Sequence, residues 1–241
     1  MASSPFEILK FTAIPVVATI LGGAIAARRA PSPRVRSTIQ HFAAGVVLAA
    51  VAGEVVPELL HHHSPVATAV GFMLGVAAML AVKALTEGPE GTTEEGARPP
   101  ARLLTVVGVD ISIDGLLIGV GFAAGAKQGV LLTIALTLEV LFLGVATAAG
   151  LTRSGMTPSR AVASITGLAA LLLLGALAGA LLQSVLTGVV LVGVLGFSSA
   201  ALLYLVVEEL LVEAHEVPET PVSTAVFFLG FLVLFLVEMM A

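Results

Sequence analysis

The sequence has no cysteine, no tryptophan and a single tyrosine, and only 11% of its 241 residues are Asp, Glu, Lys or Arg. Without cysteine there are no disulfides and no thiolate ligands, so any bound metal must be held by oxygen or imidazole, and the redox compartment leaves no trace. One tyrosine, no cysteine and no HExxH motif give little from which to build a nucleophile or a catalytic water site, so an enzyme is not expected. The 11 Lys and Arg residues are confined to short segments beside apolar runs, which offers no basis for binding nucleic acid.

What the chain has instead is hydrophobic length. It is 58% apolar with a mean hydropathy of +1.08, far from the composition of a soluble domain. Crossing about 30 Å of hydrocarbon takes roughly 20 apolar residues per helix, and eight such runs are present. They are Phe6 to Ala27, Thr38 to Leu60, Val66 to Leu85, Leu103 to Gly125, Gly129 to Leu151, Arg160 to Leu182, Thr187 to Val212 and Val222 to Met240. The expected fold class is all-α: one polytopic transmembrane domain over residues 1–241, with a flexible loop at 87–101 where EGPEGTTEEGARPP is nearly free of apolar residues.

Charge placement sets the expected topology. Arg28, Arg29, Arg34, Arg36, Lys83, Arg98, Arg102, Arg153 and Arg160 fall on the side of the odd-numbered loops, and only Lys10 and Lys127 on the other. By the positive-inside rule the odd loops are cytoplasmic and both termini lie outside the cell membrane. A signal peptide carries its basic residues before its apolar core. Here Arg28 and Arg29 follow it, as in a retained anchor.

Into these runs the chain places acids. GVDISIDGLLIGVGFAAG, from Gly108 to Gly125, carries Asp110 and Asp114, which on a helix share one face about 6 Å apart. Charge at bilayer depth costs at least roughly 2.5–3.5 kcal/mol per residue, so such a pair marks a site. Ser112 between them reads as a helix-packing or hydrogen-bonding residue rather than a nucleophile, and the steps Gly115–Gly119 and Gly121–Gly125 allow close approach of a neighbouring helix. The fifth run holds Glu139 near its middle. The second holds His41 at its cytoplasmic start and Glu54 and Glu58 toward its outer end, with Pro57 expected to bend it. His61, His62 and His63 follow as a triplet that can gather transition metals. The seventh run ends in Glu208, Glu209, Glu213, His215 and Glu216, and Glu238 of the eighth is expected simply to sit at the outer membrane boundary. The acids thus form a ladder across the bilayer with no Lys or Arg expected at comparable depth, so protons, bound cations or both must meet their charge.

The second and third runs are repeated in the seventh and eighth. At an offset of 155, Phe42, Leu48, Val51, Glu54 and Glu58 fall on Phe197, Leu203, Val206, Glu209 and Glu213. One register later PVATAVGF from Pro65 falls on PVSTAVFF from Pro221. Copies five spans apart run in opposite directions. The expectation is an inverted repeat of helices 1–3 and 6–8 around helices 4–5, an arrangement that places substrate near the midplane in transporters.

With FAAGV at Phe42 to Val46, DISIDG in the fourth run, Glu139 in the fifth and VVEELLVEAHE at Val206 to Glu216, the chain resembles the ZIP family of divalent metal transporters over nearly its whole length. Family members carry His-Asn-x-x-Asp/Glu-Gly in helix 4 and His/Gln-Glu/Asp-x-x-Glu-Gly in helix 5. Here the first pattern meets Asp110, Ile111, Asp114 and Gly115, and the second meets Ala135, Leu136, Glu139 and Val140. The resemblance implies inward transport of a divalent cation by alternating access. Asp110, Asp114 and Glu139 would hold the ion, with Glu209 or Glu208 as a further oxygen ligand. Glu54, Glu58 and the His triplet would line the way in, and Glu213, His215, Glu216 and His41 the way out. With apolar residues at the positions that would complete a second metal, one ion is expected. The ion is of the zinc, manganese or iron type, and oxygen-only ligands favour the harder members. A homodimer is compatible with the family and with the small-residue faces. The alternatives are a proton or monovalent-cation pathway and a metal sensor that does not transport.

Overall fold

A computed structural model describes residues 5–86, 100–182 and 187–240, and these are helical apart from short turns. Eight helices are each long and apolar enough to span a membrane, so the chain is a multi-pass membrane protein. They are α1 (Pro5–Arg28), α2 (Pro33–His61), α3 (Pro65–Thr86), α4 (Pro100–Ala124), α5 (Ala126–Arg153), α6 (Pro158–Leu181), α7 (Gly188–Ala214) and α8 (Pro221–Met240). All but α5 and α7 begin on proline, whose missing N–H is no loss in a first helical turn and whose φ is already helical. Most of the loop expected at 87–101 lies outside the described residues.

The helices pack as α4 against α6, α1 against α5, α2 against α8 and α3 against α7. Further contacts join α1 to α6 and α4 to α5. α2, α4, α5 and α7 are the most enclosed, and α3 and α8 the least. Outward faces carry Ile14, Leu21, Met73, Leu74, Phe228 and Leu232 in the open, an apolar belt suited to lipid and not to water.

Small residues fix the closest crossings. Gly115 and Gly119 of α4 sit against Gly175 and Gly179 of α6, and a Cβ at Gly179 would come 2.6 Å from the Leu116 carbonyl oxygen. Gly75 of α3 lies on the Phe197 carbonyl of α7, where a Cβ would meet oxygen at 2.7 Å, and Gly230 of α8 lies likewise on the Phe42 carbonyl of α2. These faces are engaged inside the bundle. Gly179→Val is therefore expected to force α4 and α6 apart and to cost roughly 1–3 kcal/mol or more, read as a lower unfolding temperature in detergent. An unchanged temperature would show that this crossing yields without strain.

The connection between α4 and α5 is shorter than expected. Gly125 alone makes it, α5 begins at Ala126 rather than Gly129, and Lys127 lies in the first turn of α5. Of the step Gly121–Gly125, Gly121 packs against Leu132 and Gly129 of α5, while Gly125 lies against the Gln128 side chain in the first turn of α5. Two local departures also appear inside helices. Val51–Val55 of α2 and Leu205–Leu210 of α7 are wide π-helical turns. The first precedes Pro57, whose ring needs room against the turn before it, and the wider turn supplies that room.

A candidate metal centre of three carboxylates

Asp110 and Asp114 stand on one face of α4, and Glu139 reaches them from the middle of α5. They are 8%, 1% and 3% exposed, and one carboxylate oxygen of each lies within 4.8 Å of the others. Opposite ligands of an ion bound at about 2.4 Å are about 4.8 Å apart, so the three oxygens fit around a single hard divalent cation. Asp114 Oδ2 and Glu139 Oε2 are buried with no hydrogen-bond partner among the described residues. Orphaned carboxylate oxygens at that depth are costly, and a cation would satisfy them.

The surrounding packing limits the centre to these groups. Ile111, Ala135 and Leu136 are almost wholly buried in the apolar core. Ser112 turns its hydroxyl back to donate to the Gly108 carbonyl oxygen at 2.6 Å, the hydrogen-bonding role expected of it. Glu209 lies within electrostatic reach of all three acids from the wide turn of α7, and Glu213 within reach of Asp110. Glu208 does not join them: it points to the exposed side and pairs with Lys83 at 2.8 Å.

At the far end of α2, Glu54 is buried inside its π turn. One expectation changes here. Lys127 brings its Nζ to 3.8 Å from Glu54, so the ladder does meet a cation near that end. Glu238, near the end of α8, turns its carboxylate in over Gly53, with Oε2 buried. The absence of a side chain at Gly53 makes the space; nothing in the local hydropathy pattern announced it. Glu58 contacts His62 at 3.2 Å, and His61, His62 and His63 are all exposed. The triplet is not one of the clusters of three or more metal-capable donors among the described residues.

At the opposite end, Arg36 pairs with Glu216, and Gln40 donates to Glu213. His41 is buried and its ring meets that of His215 edge-on, with centroids 5.3 Å apart. The residues expected along the way out therefore do assemble, between the start of α2 and the end of α7. No protein-family model matches this chain, and no curated protein matches it either.

Proposed function

We propose that the protein carries a divalent metal cation across the membrane, with the ion bound at mid-bundle by Asp110, Asp114 and Glu139. The observation that carries the reading is the convergence of three buried carboxylates, two with orphaned oxygens, midway along helices that otherwise read as lipid-spanning. Positive-inside charge placement and the resemblance to ZIP transporters support inward movement. Glu54 and Glu58 then lie on the approach, and Glu209, Glu213 and His215 on the departure.

Alternating access through an inverted repeat fits the same reading, and three features support it. Exchanging α1 with α6, α2 with α7, α3 with α8 and α4 with α5 carries the observed helix pairs onto one another. The wide turns Val51–Val55 and Leu205–Leu210 fall at matched positions of the two copies, each holding the matched acid, Glu54 or Glu209. The Gly230–Phe42 and Gly75–Phe197 contacts link matched phenylalanines to the partner helix. A wide turn can shift register by one residue at small cost, and such turns recur at functional sites.

The test is uptake into proteoliposomes across zinc, cadmium, manganese, iron, cobalt and magnesium, with internal pH recorded throughout. Saturable flux of one or more of these ions is expected. A pH change alone would assign a proton pathway, and binding without flux a sensor. In the same assay Lys127→Gln, which removes the cation facing Glu54, is expected to lower the half-saturating ion concentration several-fold. An unchanged value would take Lys127 off the approach.

A further inference from the structure

A second group of donors lies outside the mid-bundle site. His41 is 3% exposed, and its Nδ1 lies 2.8 Å from the Ser37 carbonyl oxygen. A carbonyl can only accept, so Nδ1 carries the proton, and in the neutral ring Nε2 presents a lone pair. That Nε2 is buried and has no hydrogen-bond partner among the described residues. His215 stands against the same ring, and its own Nε2 contacts the Glu219 carboxylate. One donor atom from each of His41, His215 and Glu219 lies within 4.8 Å of the others.

We propose that His41, His215 and Glu219 form a second divalent-metal site, at the end of the bundle where α2 begins and α7 ends. A histidine whose far nitrogen is anchored to a backbone carbonyl is the usual arrangement of an imidazole metal ligand, because the anchor fixes both tautomer and ring orientation. Two imidazoles and a carboxylate match the three-ligand sets that hold zinc with a fourth position left to water. The donor set is softer than the three carboxylates at mid-bundle, so the two sites differ in preference: zinc, cobalt or nickel here, with manganese and magnesium disfavoured. An ion bound here ties the start of α2 to the end of α7 and to the turn into α8. The site goes beyond the transport reading and stands on residues that reading does not need for mid-membrane binding.

The test is calorimetric titration of the purified full-length protein in detergent with zinc and, separately, with manganese. Wild-type protein is expected to bind two zinc ions. His215→Gln and Glu219→Gln, both at exposed side chains, should each lower the affinity of one zinc ion at least tenfold while leaving manganese binding unchanged. His41→Gln should do the same. Asp114→Asn should remove the other ion and leave the His41 site intact. Unchanged zinc stoichiometry and affinity in both exposed-residue variants would overturn the proposal, as would zinc binding abolished by Asp114→Asn alone. Failure of the mid-bundle reading looks different: there Asp114→Asn changes nothing, and the loss follows the histidine variants.

Discussion

Asp114→Ala is expected to reduce divalent-ion uptake by about a hundredfold or more in proteoliposomes while leaving a folded protein. Removing even an outer partner of a metal ligand typically costs roughly 10–100-fold in affinity or activity, and Asp114 would be one of only three groups touching the ion. It is the most enclosed of the three, and one of its carboxylate oxygens lies within 4.8 Å of an oxygen of each of the other two acids. Alanine is the best helix former, so α4 should persist through the change. Ser112→Ala is the matched control. Its hydroxyl serves only its own helix carbonyl, and transport should stay near wild type. Wild-type flux through the Asp114 variant, with size-exclusion behaviour unchanged, would end the assignment.

The second large effect is on stability and has the opposite sign. The variant carrying Asp110→Asn, Asp114→Asn and Glu139→Gln should be more stable than wild type in the presence of a chelator. Confining three carboxylates in an apolar bundle, with orphaned oxygens and no basic partner within their cluster, is unfavourable by several kcal/mol per ion if they remain charged. Protonation recovers part of that, so a net gain of roughly 1–4 kcal/mol is expected, the range found when buried ion pairs give way to well-packed apolar residues. A bound divalent ion should close the gap. At a hundred times its dissociation constant manganese, which the His41 site disfavours, adds about 2.7 kcal/mol to wild type and nothing to the neutral variant. Unfolding followed with and without chelator and ion measures both effects. A neutral variant no more stable than wild type, with neither responding to manganese, would mean that these carboxylates are not arranged for a cation.

Together the two predictions separate use from structure. If the acids served only to hold helices together, neutralising them would weaken the bundle. If they serve a cation, neutralising them should strengthen the fold and abolish uptake. The Gly179→Val change acts in a third way, lowering stability through packing with every acid still in place.

The sequence by itself determined the number of spans, most of their ends and the identity of the buried acids. Hydropathy over about 20 residues is a strong local signal, since a helix satisfies its own backbone and needs only apolar side chains to face lipid. Proline opens six of the helices, and α2 and α4 begin there, several residues before the runs expected from Thr38 and Leu103. Asp110, Asp114 and Glu139 were legible because an acid inside such a run violates its own surroundings. Only the tertiary structure decided which polar groups meet. Lys127 reaches Glu54 because a single residue, Gly125, joins α4 to α5, and Glu238 turns inward because Gly53 leaves room. Glu208 and Glu209 are adjacent in sequence, yet successive residues of a helical turn point in different directions, so one pairs with Lys83 on the exposed side while the other faces the centre. The meeting of His41 with His215 and Glu219 depends on helices more than 170 residues apart, and the burial of one histidine nitrogen without a partner has no counterpart in any local pattern of residues.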